Sequence, residues 1–299
     1  LSLGRAITEI ENGSVLGVEL GIAAADPAVP IRTLGVTGPP GAGKSTLINA
    51  LISELLPDFG RIGVLTVDPS SPVSGGAILG DRVRMSAHSA NQNVFIRSLA
   101  ARGHLGGVTR ATRSVIELLG AAGMDLAIVE TVGTGQSEVE VAELTDLRIM
   151  VCAPGMGDGM QAIKAGILEV ADILVVNKAD LPDADRTTNF LKGMLMHRGH
   201  TERRVAIKVS TLRSEGLVEL AAAVRDRLGE ANGAVLQPSC EIHDARMRLA
   251  RDAAELLAAQ LLEGRDPQVK TLVQRSAEGT LSRNDAAREA IRIMAHMTA

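Results

Sequence analysis

Aromatic side chains are almost missing from this chain of 299 residues, which has no Trp, no Tyr and three Phe, at Phe59, Phe95 and Phe190. The interior must therefore be assembled from Ala, Val, Leu, Ile and Met, and the stacking platforms on which nucleic-acid bases lie are nearly absent. An excess of positive charge is lacking too. The 31 basic and 35 acidic side chains leave a formal charge of −4, which offers no overall attraction for a polyanion, so no nucleic-acid partner is expected. The two cysteines, Cys152 and Cys240, form no CxxC pair and no Cys/His cluster, which speaks against a disulfide scaffold or structural zinc and for a reduced, cytoplasmic setting. No run approaches the roughly 18 consecutive apolar residues of a spanning helix, so no membrane association is expected. Repeats and low-complexity tracts are also lacking.

What is present is a series of short aliphatic runs, each ended by Gly, Asp, Pro or Asn and followed by a helix-like pattern. Strands are predicted at Arg32 to Thr37, Arg61 to Val67, Val94 to Arg97, Leu126 to Val129, Arg148 to Ala153, Ile173 to Val176 and Val205 to Val209. Most are apolar on both faces, as in a parallel sheet covered on both sides. Helices are predicted near Lys44 to Leu56, Val108 to Leu119, Val139 to Leu144, Met160 to Val170, Thr188 to His197 and Leu217 to Leu228. Strand alternating with helix implies an α/β, doubly wound, mostly parallel sheet with ligands at the carboxyl ends of the strands. Beyond about Gly233 the strand signal stops. Ile242, Ala245, Leu249, Ala253, Leu256 and Leu257 recur at helical spacing, and Ser282 with Asp285 three residues on marks a second helix start. This tail is either a lid on its own domain or an arm for subunit contacts. The expected division is a helical N-terminal extension over 1–30, a nucleotide-binding domain over 31–232 and a helical segment for dimerisation over 233–299.

Three motifs carry chemistry. Gly38-Pro39-Pro40-Gly41-Ala42-Gly43-Lys44-Ser45-Thr46 fits GxxxxGK[ST] between a strand and a helix. In such a loop backbone N–H groups close around phosphates, the Lys neutralises the outer phosphates and the Ser hydroxyl ligates Mg²⁺. Asn177-Lys178-Ala179-Asp180 follows the strand Ile173 to Val176. A carboxylate there accepts hydrogen bonds from N1–H and the exocyclic amine of guanine, which adenine does not offer; on its own the tetrapeptide also reads as a loop with a helix cap. Ser210 and Thr211, after the next strand, are placed to add a backbone contact to the base. Asp68 and Glu130 end two further strands on the phosphate side, as Mg²⁺ ligands or as caps and turn residues. Gly133 is placed to offer its N–H to the γ-phosphate. Asp158, Gln161 and Lys164, at three-residue steps, share one helix face, functional or simply solvated.

Taken together, GPPGAGKST at 38–46, VDPSSPVSGGAILGDRVRM at 67–85, GHLGG at 103–107, VETVGTGQSE at 129–138, GDGMQAIKAGILEVAD at 157–172 and NKAD at 177–180 resemble the MeaB/ArgK family of SIMIBI-class P-loop GTPases. The resemblance is strong over 31–230 and weaker in the helical tail. It implies a homodimeric GTPase, slow alone and stimulated by a partner, that gates adenosylcobalamin loading of an adenosylcobalamin-dependent acyl-CoA mutase and protects or reactivates it. The implied ligands are GTP or GDP and Mg²⁺, with no cobalamin bound directly. Position by position it implies phosphate and Mg²⁺ roles for Lys44 and Ser45, and metal or water-positioning roles for Asp68 and Glu130. Asp81 and Arg84 would belong to a mobile loop, with Asp81 near the metal, and Asp158, Gln161 and Lys164 to a segment coupling the mutase to hydrolysis. Two rival readings are an ATPase or kinase associated with a transport system, which NKAD disfavours, and a metallochaperone-type GTPase, for which His88, His104, His197, His200 and His243 form no metal-delivering cluster. A catalytically inert nucleotide-binding adaptor is a third.

Overall fold

The structure is a computed structural model that describes residues 1–25, 31–69, 88, 90–101, 107–131, 144–155, 171–197, 205–231, 249–250, 252–254, 256–262, 264 and 266–297. These group into two compact units, one of residues 26–234 and the other of residues 1–25 with 235–299.

In the first unit seven strands form one sheet: β1 (Arg32–Thr37), β2 (Ile62–Pro69), β3 (Val94–Ala101), β4 (Leu126–Thr131), β5 (Leu147–Cys152), β6 (Ile173–Val176) and β7 (Val205–Lys208). Their order is β3-β2-β4-β1-β5-β6-β7, and every pairing is parallel. All seven predicted strands are present, with ends shifted by up to four residues. Strand β1 lies between β4 and β5, so the chain turns to opposite sides of the sheet at β1. That is the switch point where α/β sheets open a crevice for ligands.

Helices α3 (Lys44–Phe59) and α6 (Leu217–Ala231) cover one face. Leu34 and Val36 of β1, Ile128 of β4 and Ile149 of β5 meet Leu47, Leu51 and Leu55 of α3 and Leu220 and Val224 of α6 in one buried cluster. Burying each such side chain contributes about 1.5–3 kcal/mol. Helix α4 (Gly107–Ala121) packs on the other face, where Gly63 leaves room for Leu119. So does α5 (Ala184–His197), through Leu191 against Met150, Cys152, Leu174 and Val176. Helix α3 runs past Pro57, where the missing N–H ordinarily argues for a stop. Phe59 explains the extra turn: its ring is buried in the core, with the Arg32 guanidinium 5.6 Å from its centroid. Of the predicted helix Val139 to Leu144, residues 139–143 lie outside the described residues, as does the whole predicted helix Met160 to Val170.

In the second unit α1 (Leu3–Asn12) turns directly into α2 (Val15–Ala24). Ser14 caps α2 by accepting from the Gly17 N–H at 3.1 Å, while its hydroxyl donates to Glu9 Oε2 at 2.7 Å. Gly17 is required here, because a Cβ would meet the Glu9 carbonyl. Helical residues at 249–250, 252–254 and 256–262 precede α7 (Pro267–Ala277) and α8 (Arg283–Met297). The predicted start at Ser282 is seen in full: its hydroxyl donates to Asp285 Oδ2 at 2.7 Å and accepts from the Asp285 N–H at 3.1 Å.

Candidate functional site: a phosphate loop beside a base-reading loop

Gly38, at the end of β1, opens a loop that closes at the first turn of α3. Gly38, Gly41 and Gly43 have φ of 145°, 79° and 89°, a region L side chains rarely enter. Two of them are also fixed by crowding. A Cβ on Gly38 would meet the Val151 carbonyl, and one on Gly43 would lie 2.5 Å from Asn177 Nδ2. The loop thus presses against β5 on one side and the Asn177 loop on the other. Its donors surround the N-terminus of α3, where unpaired N–H groups and the helix dipole favour an anion.

Lys44 and Ser45, the first residues of α3, are both buried. The Lys44 ammonium donates to the carbonyls of Gly38 at 2.7 Å and Pro39 at 3.3 Å, so it lies inside the loop that would hold phosphates. The Ser45 hydroxyl donates to Glu130 Oε1 at 2.8 Å, joining α3 to the carboxyl end of β4. Glu130 is itself buried. A hydroxyl and a carboxylate are the hard oxygen donors that Mg²⁺ prefers, so these residues fit the ion. Among the described residues no group of three or more His, Cys, Asp or Glu forms a metal cage.

The second loop follows β6. The Asn177 side-chain amide donates to the carbonyls of Ala42 at 2.9 Å and Gly43 at 3.4 Å. Lys178, at a φ of 55°, extends its ammonium to the Gly41 carbonyl at 2.7 Å. The two motifs, 135 residues apart at Asn177 and Ala42, are thereby held as one body. Asp180 Oδ1 accepts from the Ser210 hydroxyl at 2.6 Å. That bond first, then a backbone N–H and the nearby Arg213 and Lys178 charges, holds its carboxyl below the usual range. Ser210 is fixed in turn by two backbone bonds with Glu215, at 3.0 and 3.1 Å, and its oxygen accepts from the Arg213 N–H at 3.3 Å. A carboxylate kept ionised and oriented can accept two hydrogen bonds from one purine edge.

Of the residues predicted to act, the structure brings together Gly38, Pro39, Gly41, Ala42, Gly43, Lys44, Ser45, Glu130, Asn177 and Lys178, and separately Asp180 with Ser210. Pro40 lies in the phosphate loop, Thr46 in the first turn of α3, and Thr211 in the turn after Ser210. Asp68 lies one residue before the end of β2, its backbone in register with Ala100, and its side chain lies outside what is described. Asp81, Arg84, Gly133, Asp158, Gln161 and Lys164 lie outside the described residues. Beyond the backbone contact expected of Ser210, its side-chain hydroxyl donates to Asp180. Sequence reasoning also passed over buried hydroxyls near Glu130. Thr131 donates to Thr37 at 3.1 Å, and Thr66 donates to Ser98 at 2.8 Å. Their signal was a Thr inside an otherwise aliphatic strand. Cys152, beneath the site in β5, is buried, and burial pushes its thiol up to about 12, so it is no nucleophile.

Comparison with known proteins follows the same lines. The family described as methylmalonyl Co-A mutase-associated GTPase MeaB matches residues 3–264. The Escherichia coli protein named GTPase ArgK is 40% identical over 238 residues, covering 75% of this chain and 71% of that protein. The mouse methylmalonic aciduria type A homolog, mitochondrial, is 40% identical over 199 residues, covering 64% and 48%. A Pyrococcus horikoshii protein named as a GTPase is 54% identical over 154 residues, or 52% of this chain, which spans about half (49%) of that relative's length. The crystal structure titled LAO/AO transport system kinase superposes with a TM-score of 0.58 at 25% identity, covering 98% of this chain and 97% of that one. The nickel complex of HypB from Helicobacter pylori, at 17% identity and a TM-score of 0.52 over 76% and 95%, shares the fold.

Proposed function

The chain belongs to the MeaB family of methylmalonyl-CoA mutase-associated GTPases, and from that premise we propose that it binds GTP, hydrolyses it slowly alone, and serves as a GTP-dependent chaperone of an adenosylcobalamin-dependent acyl-CoA mutase. The observation that carries the nucleotide reading is the joining of the two loops: Lys178 bonds to Gly41, and Asn177 to Ala42 and Gly43. A nucleotide whose base lies against Asp180 then has its phosphates over the α3 N-terminus without any rearrangement between the loops.

Each group has a role in this reading. The backbone N–H groups of Gly41 to Ser45 take the phosphate oxygens, and Lys44 exchanges its carbonyl partners for the outer phosphates, a gain because a charge-assisted bond to phosphate is stronger than one to a carbonyl. Ser45 and Glu130 are the residues that would hold Mg²⁺, and Asp68 and Asp81 are proposed to join them; when bound, the ion neutralises charge on the β- and γ-phosphate oxygens. Asp180 selects guanine, with Thr211 beside Ser210 in the same loop. Gly133 is proposed to sense the γ-phosphate. Asp158, Gln161 and Lys164 are proposed to couple partner contact to turnover.

The chaperone role, the homodimer and the absence of direct cobalamin binding extend the family premise; the relative named for methylmalonic aciduria type A supports that direction. The test is GTP turnover by the full chain, alone and with a purified methylmalonyl-CoA mutase or a related isobutyryl- or 2-hydroxyisobutyryl-CoA mutase. Stimulation by one of them is expected. Equal rates with every mutase would remove the coupling, and turnover of ATP in preference to GTP would favour the transport-associated ATPase.

A further inference from the structure

Left-handed backbone gathers around the base-reading loop. Among the described residues, three other than glycine have a positive φ: Lys178 at 55°, Asp183 at 68° and Ser214 at 57°. Such residues are uncommon and costly, and they persist where the surrounding structure holds them. Lys178 and Asp183 lie on either side of Asp180, and Ser214 lies in the turn that follows Ser210. Two of the three have a local use: Lys178 reaches the Gly41 carbonyl, and the Asp183 carbonyl accepts from the Thr187 N–H in the first turn of α5. Ser214 is exposed, and its conformation closes a turn. Directly after it Glu215 comes back beside Ser210, each donating its N–H to the other's carbonyl, at 3.1 and 3.0 Å. Gly216, at a φ of 74°, then lies so close to the end of β7 that a Cβ would meet the Lys208 carbonyl. Its own carbonyl accepts from the Leu220 N–H of α6. The turn is thus tied to the sheet on one side and to a helix on the other.

The closed turn directs one hydrogen. The Arg213 N–H donates to Ser210 Oγ at 3.3 Å, and the single hydrogen of that hydroxyl goes to Asp180 Oδ1 at 2.6 Å. Ser210 itself is buried. With one oxygen held, the Asp180 carboxylate is restrained from turning about its bond to Cβ. A carboxylate can meet the N1–H of a purine alone in many orientations. To meet N1–H and the exocyclic amine of guanine together it needs both oxygens in the plane of the base, as in other bidentate pairs. Hypoxanthine is guanine without that amine. A carboxylate free to turn therefore costs guanine a bond and costs hypoxanthine little.

We propose that Ser214, held left-handed, is a positioning residue: through the turn it sets Ser210, through Ser210 the plane of the Asp180 carboxylate, and so the preference of the site for guanine over hypoxanthine. The proposal rests on the guanine-nucleotide reading above. It is tested on the full chain by displacing the fluorescent nucleotide N-methylanthraniloyl-GDP with GDP and with IDP at fixed Mg²⁺. The phosphates are common to both competitors and cancel in the ratio of affinities. Proline cannot adopt a positive φ, so Ser214→Pro should lower the GDP-to-IDP ratio about 10-fold, the order of one hydrogen bond to a charged group. Ser214→Gly, which takes that φ freely, should keep the wild-type ratio. Ser214→Val resists the conformation without excluding it; it should shift the ratio in the same direction and gives the same reading should Ser214→Pro lose structure. An unchanged ratio in folded Ser214→Pro or Ser214→Val, with GDP and IDP weakened alike or not at all, would overturn the proposal while leaving base recognition by Asp180 in place. So would a Ser214→Gly ratio as low as that of Ser214→Pro. A wild-type chain that binds neither nucleotide, or binds GDP no better than IDP, would overturn the reading of Asp180 as well.

Discussion

Asp180 keeps its negative charge because its surroundings supply donors and cations: the Ser210 hydroxyl, a backbone N–H, and the Arg213 and Lys178 charges. A carboxyl so lowered stays ionised to lower pH than an unperturbed aspartate and loses its charge only as pH falls through that lower native value. Preference for GTP over ATP should thus be the same at pH 5 as at pH 7.5, checked by competition against a fluorescent guanine nucleotide; a preference already weakened at pH 5 would contradict the assignment. Replacing Asp180 with Asn should transfer preference to xanthine nucleotides. Two hydrogen bonds to a charged acceptor, at about 1.5 kcal/mol or more each, make the loss of GTP affinity on the order of 100-fold. Cys152 makes the opposite kind of statement. With its thiol pushed up to about 12 by burial, a Cys240→Ser variant should react with a thiol reagent at pH 8 only after denaturation. Rapid labelling of the native protein would show that β5 opens.

At the scale of elements, the strands were legible because a parallel sheet covered on both faces writes itself as unbroken aliphatic runs, as in Ile173 to Val176. The phosphate loop was legible because its glycines answer to geometry: Gly38 combines a φ of 145° with the Val151 carbonyl where a Cβ would stand. Gly38→Ala should accordingly lose about 1–3 kcal/mol from backbone strain alone, seen as a lower denaturation midpoint even without nucleotide. Helix α7 was not anticipated, although Asp266 followed by Pro267 is a start signal. Its apolar face is too sparse to stand out, with Val269 and Leu272 its buried residues. The cap itself is well formed, with Asp266 Oδ1 accepting from Gln268 and Val269 N–H groups at 2.6 and 3.1 Å. Asp266→Ala should cost about 1 kcal/mol, measurable as lost helical signal on heating. The position of Ser210 beside the base-reading loop was legible from its place after the next strand, but its hydroxyl bond to Asp180 was not, because the local backbone bonds with Glu215 that fix Ser210 leave no mark in the sequence.

For the whole molecule, the decisive feature is that, among the described residues, the buried cluster around α3 draws on positions within 34–228, so the 26–234 unit has a core of its own. The unit of residues 1–25 and 235–299 contains none of the residues assigned to phosphates, base or metal. A ligand stabilises only the species that binds it, by about 2.7 kcal/mol at a concentration 100 times its dissociation constant. For a unit of this size that corresponds to roughly 5–10 °C in Tm. Calorimetry of the full chain with GDP and Mg²⁺ should therefore move one transition upward and leave the other where it was. Lys44→Ala should abolish the shift, since it removes the charge at the centre of the phosphate loop and leaves the helical unit untouched. If both transitions rose together with nucleotide, the two units would be unfolding as one, and the helical segments would have to be counted as part of the nucleotide-binding body.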